Sequence, residues 1–177
     1  MLIEHGYSRV ITADGLEFTF CPSFARIAAL GRPGEILHTF KGLFGSDARL
    51  NARYVLVTLC EQEDATGLLG WLDADGNDHP GSMPAQEQIC LAAHLLRHGM
   101  VGTVTKAEEG GRPVSEFNVA EYVAAARVHL QMNAEDAEAL SMSEFQALFE
   151  MKFPDAKKKK RDVPTREEYR AALAAMS

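Results

Sequence analysis

The chain has 177 residues, 46% of them hydrophobic, enough for one domain with its own core. Its formal net charge is -7, and because Lys157–Arg161 contributes +5 the rest carries -12, which argues against a body that wraps phosphate backbones and so against nucleic acid as a partner. The longest apolar stretches, Tyr54–Cys60 and Ile89–Leu96, fall far short of the ~20 residues of a membrane span.

The N terminus shows no basic region followed by an apolar segment and a cleavage site, so the expected location is the cytoplasm in which the protein is made. Cys21, Cys60 and Cys90 are odd in number and embedded in apolar segments, the pattern of reduced core thiols. Between Ser8 and Cys21, Val10 and Thr12 precede Asp14-Gly15, and Leu16, Phe18 and Phe20 follow it. The alternation predicts a β-hairpin with a type I′ turn. Ser23 caps a short helix, Phe24–Leu30, ended by Gly31. A second helix runs from Pro33 to Phe44 with Gly45 as its stop.

Asp47 is placed as the cap of a third helix reaching to about Gln62, although its later part is rich in β-formers. Gly67 to Pro84 reads as turns holding a hydrophobic anchor or a short strand, an ordered loop in which Trp71 is either a core anchor, the favoured reading, or the centre of an interface. Pro84 opens the central helix, with Ile89, Ala92, Ala93 and Leu96 as its stripe and Gly99 as its end. Residues Lys106–Ser115 read as an exposed loop. Asn118 with Glu121 resembles a capping box for a helix through Met132; Ala134–Leu140 is a short helix or turn; Ser141 with Glu144 is a second box, for a helix Met142–Phe153. The fold class is therefore α+β, mainly α, with an N-terminal β-hairpin packed on a helical bundle. Residues 1–153 form the globular domain, 154–163 a basic linker, and 164–177 a separable C-terminal helix.

Cys90, His94 and His98 fall at i, i+4 and i+8 of the central helix and are the candidate metal ligands. His94 is not followed by the glutamate of a zinc-protease helix, and three ligands over two turns do not reach one ion without distortion, so a buried cysteine, a core His94 and a His98 near the helix end outweigh a metal site. The acidic loop Asp73–Asp78 fails the calcium register, since its twelfth position is Pro84. The chain lacks Gly-x-Ser-x-Gly, a phosphate loop and Cys-x-x-Cys, so no catalytic residue, cofactor or metal is assigned and a metal-dependent enzyme ranks last.

Phe18–Ser23 before the first helix, His79–Pro84 before the central helix, Ala93–Gly99 at its end, and Glu144–Leu148 with Lys152–Pro154 together resemble a family of tailed-phage proteins encoded among the tail genes and regarded as tail assembly chaperones. The resemblance implies a non-catalytic factor in the host cytoplasm, absent from the mature virion, that binds the tape measure protein, other tail proteins or a second copy of itself. The residues placed on that partner-binding face are Phe145, Phe149, Met151 and Phe153 with Lys157, Lys158, Lys159 and Lys160. The alternative is a small phage regulatory or host-interaction protein.

Overall fold

Strand β1 (Ser8–Ile11) pairs antiparallel with β2 (Glu17–Phe20), with Ser8 opposite Phe20 and Ile11 opposite Glu17, in a computed structural model that describes residues 6–102 and 116–154. The expected type I′ turn is replaced by a longer one. Thr12 N donates to Leu16 O and Gly15 N to Thr12 O, both at 2.9 Å, and Gly15 alone takes a positive φ, +85°. That is the three-residue loop with glycine in the left-handed position.

β2 then serves as a seam between the hairpin and the helices. Cys21 N donates to Leu59 O (2.9 Å) and Glu61 N to Thr19 O (2.8 Å), so the chain just past helix α3 (Ala48–Leu59), at Cys60, lies against β2 in extended form. The β-forming residues Tyr54, Val55, Val57 and Leu59 are helical nonetheless, and the chain leaves helical geometry only after them, at Cys60. Phe18, Thr19 and Phe20 are all buried as a result.

Helix α1 (Phe24–Ala28) is capped by Ser23, whose Oγ accepts from Arg26 N at 3.4 Å, and it buries Phe24 and Ile27. Helix α2 (Pro33–Gly42) begins at its proline, with Glu35 accepting from Arg32 N at 2.7 Å. It ends earlier than expected: the last turn tightens through Phe44 N to Lys41 O and Gly45 N to Gly42 O, and Gly45 keeps a negative φ. Asp47, expected to cap α3, makes no capping bond with its side chain.

The core lies between α3 and α5 (Ala85–Leu96), where Ala52, Val55, Leu56 and Leu59 meet Ala92, Leu95 and Leu96, all fully buried. Each such leucine stabilises the fold by about 1.5–3 kcal/mol relative to exposure. The helix does not stop at Gly99. It widens into a π-turn, Arg97–Val101, and ends where Gly102 takes a φ of +78°. Gly99 is needed for close approach: a Cβ there would lie 2.8 Å from Ile27 Cδ1 and 3.1 Å from Pro22 Cβ.

The stretch read as a loop holds α4 (Thr66–Leu69) and a second hairpin, β3 (Trp71–Leu72) with β4 (Asp78–His79). Its neck is closed by Gly70 and Gly81, where a Cβ on either would meet backbone atoms on the other side of the neck within 2.6 Å. Trp71, expected in the core, stands exposed on this hairpin, its ring stacked on His79 with centroids 4.2 Å apart. The hairpin is too short to bury it.

Helix α6 (Val119–His129) lacks the capping box, because Asn118 Nδ2 bonds the Glu121 carboxylate (2.9 Å) and the Asn118 side chain accepts nothing from the backbone. It stops before Met132, at Gln131 with a φ of +61°. Helix α7 (Ala134–Ala139) is capped by Asn133, and α8 (Met142–Lys152) by the box of Ser141 and Glu144. The observed class is thus α+β, mainly α, with a small N-terminal hairpin. The loop 106–115, the linker beyond Pro154 and the helix at 164–177 lie outside the described residues.

Candidate functional site

Helix α8 reaches from the core to the surface. At its start Ser141 Oγ accepts from Glu144 N (3.2 Å) while the Glu144 carboxylate accepts from Ser141 N (2.8 Å), and Tyr7 donates to the same carboxylate (3.3 Å). Burial, then a bond to Cys21 and the nearby Glu144 charge, push the Tyr7 hydroxyl's pKa well above its ordinary value, so it stays a donor.

Phe145, Phe149 and Phe153 follow at i, i+4 and i+8 and stack into a ladder, with centroids 5.6 Å and then 4.8 Å apart. The inner rung is Phe145, edge-on to Phe24 (6.1 Å) and Tyr122 (5.9 Å). It is 8% exposed and belongs to the core, whereas the sequence placed it on the partner-binding face. His129 of α6 stands edge-on to Phe149 and Phe153. The outer end is apolar and open: Met151 is 80% exposed and Val128 71%, with Leu148 and Phe153 also exposed. Lys157, Lys158, Lys159 and Lys160 lie outside the described residues.

The inner side of α8 clamps the π-turn. His98 Nδ1 lies 2.8 Å from Ser143 Oγ, and Gln146 Nε2 donates to Val101 O at 3.0 Å. His98 is therefore bound into the packing of two helices. His94 is exposed, not in the core, and its ring centroid lies 4.6 Å from that of His98. It lines a cleft with Phe40, Phe44, Arg97 and Val101. Cys90 is also exposed, where a buried thiol was expected, because α5 turns Gln88, Ala92, Leu95 and Leu96 inward and Cys90 outward. Among the described residues no group of three His, Cys, Asp or Glu side chains is placed to hold a metal ion.

In the acidic loop, Asp73 Oδ1 accepts from the backbone of Asp75 (3.0 Å) and Asn77 (2.7 Å), and Oδ2 from the Asn77 side chain (2.9 Å). These bonds, the Asn77 side chain first, hold the Asp73 carboxyl below its usual pKa. The carboxylate organises a turn.

Residues 38–171 match a family described as Family of unknown function (DUF6246). The chain belongs to this family. The matched region begins within α2, takes in the aromatic ladder and the second hairpin, and continues through the lysine run. No curated protein matches the chain. No solved structure matches it either. No helix among the described residues is long and apolar enough to cross a membrane.

Sequence reasoning missed the meeting of Arg49 and Arg53 with Asp78 across the second hairpin. Arg49 and Arg53, one turn apart on α3, were the available signal.

Proposed function

We propose that this chain is a non-catalytic protein-binding factor resembling a phage tail assembly chaperone, which holds the tape measure protein during tail assembly in the host cytoplasm. The observation that carries the reading is the open end of the aromatic ladder. Phe149 is backed by Phe145 and the core, so Met151, Phe153, Leu148 and Val128 form an apolar edge on a rigid support. A methionine and aromatic edge adapts to the apolar stripe of a partner helix. The acidic body favours solubility of such a complex.

Co-expression with the candidate tape measure protein tests this. The full chain is expected to give a soluble complex, and Met151→Asp with Val128→Asp to lose it while folding normally, since exposed substitutions change stability by only about 0.5 kcal/mol. A variant that binds as well as the parent, or a parent that neither binds nor solubilises the partner, would sink the proposal and favour the host-interaction alternative.

A further inference from the structure

We propose that the cleft between α3, the β3–β4 hairpin and the start of α5 binds the free C-terminal carboxylate of a peptide, with Asp78 as its intramolecular stand-in. The cleft has a volume of about 420 Å³ and is lined by Arg49, Arg53, Asp78, Pro80, Met83 and Gln88 among others. Both guanidiniums converge on Asp78, with Arg53 Nη1 2.8 Å from Oδ1 and Arg49 paired with Oδ2. Two cations on one carboxylate leave a positive site on a strongly acidic body. Each guanidinium carries five donors, so one carboxylate cannot satisfy both.

Burial sharpens the mismatch. The Arg53 side chain is 9% exposed, its Nε has no hydrogen-bond partner, and its Nη1 meets Asp78 as an ion pair without an aligned hydrogen bond. Gln88 is 2% exposed; its Nε2 donates to Leu69 O (3.0 Å) and Met83 O (2.9 Å), which leaves Oε1 unpartnered. Buried donors and acceptors without partners are uncommon in native structures. Here they line one cleft and are of opposite kind. A peptide terminus supplies the matching pair one carbon apart: carboxylate oxygens for the arginines and an amide N–H for Gln88. Pro80, Met83, Pro84 and Ala85 offer an apolar wall for its last side chain.

Asp78 covers Arg53 from a hairpin pinned to the body at the Gly70–Gly81 neck. Exchange of Asp78 for a ligand's carboxylate preserves the charge balance of the buried guanidinium. The site is separate from the α8 edge and does not depend on it.

The test is a titration of the full chain followed by the side-chain N–H resonances of Arg53 and Gln88. The probes are N-acetylated alanylleucine with a free carboxylate, its C-terminal amide, and sodium acetate. The free acid is expected to give saturable shifts at both side chains, the amide at least tenfold weaker ones, and Asp78→Asn at least tenfold tighter binding because the internal competitor is gone. Absence of saturation with the free acid, or equal binding of acid and amide, would overturn the assignment. Acetate binding as tightly as the dipeptide would also overturn it, reducing the cleft to an anion hole. Should Asp78→Asn not fold, Arg49→Gln replaces it, with at least a tenfold loss of free-acid binding expected and unchanged binding overturning the proposal.

Discussion

Replacing Gly99 by alanine isolates the close approach of the π-turn to Ile27 and Pro22. Gly99 keeps a negative φ, so alanine is conformationally allowed there, and helix propensity alone would favour it by about 0.5–1 kcal/mol. Against this, the new Cβ would sit 2.8 Å from Ile27 Cδ1, 3.0 Å from Ile27 Cγ1 and 3.1 Å from Pro22 Cβ, and Ile27 is wholly buried. Overpacking of that kind costs about 1–3 kcal/mol, so Gly99→Ala is expected to destabilise the chain by roughly 0.5–2 kcal/mol. The nearest obstructing atom is the methyl that Ile27→Val removes. That change alone costs about 0.5–1.5 kcal/mol, but in the alanine background it relieves the clash, and the two changes together should be about 1 kcal/mol less damaging than their sum. Urea unfolding of the parent, both single variants and the double variant measures the cycle. A Gly99→Ala protein at least as stable as the parent, or strict additivity, would refute the reasoning.

Three further outcomes are expected. Ser141→Ala should lower stability by about 1 kcal/mol in urea unfolding, whereas Asn118→Ala, whose side chain makes no backbone cap, should cost markedly less. The Asp73 carboxyl is held below its usual pKa of 3.8, so the folded state binds that proton more weakly than the unfolded chain. Its stabilisation is complete above the usual carboxylate range and is lost as the pH falls below 3.8; an NMR titration should show a depressed midpoint for Asp73 that returns toward 3.8 in Asn77→Ala. A thiol reagent should label Cys90 rapidly in the native protein and reach Cys21 and Cys60 only on unfolding, since both are buried and burial pushes the Cys60 thiol up.

The parts of the fold legible in the sequence are those set by local chemistry. Ser23 and Ser141 cap the helices they precede, and Pro33 opens α2, because each satisfies its own backbone within one turn. Gly99 and Asn118 misled because their roles are decided elsewhere: Gly99 by Ile27 and Pro22, the π-turn by Ser143 and Gln146 of α8, and Asn118 by the competing Glu121 carboxylate. The second hairpin was hidden for the same reason, since its two-residue strands are too short to signal and Asp78 reaches Arg49 and Arg53 on α3. Of the proposed binding edge, the i, i+4, i+8 spacing of the phenylalanines was readable. Which rung faces the core was not, because Phe24 and Tyr122 decide it from distant parts of the chain.

The crossing of Gly70 and Gly81 means that the chain departs for the second hairpin and returns at a single point, with Ser82 N and Met83 N bonded to Gly67 O and Leu68 O just beneath it. Residues 71 to 80 are therefore tied to the body at this neck and, through Asp78, to Arg49 and Arg53 of α3. A reporter domain spliced between the exposed Asp75 and Gly76 would hang from the hairpin tip like a pendant, beyond both ties.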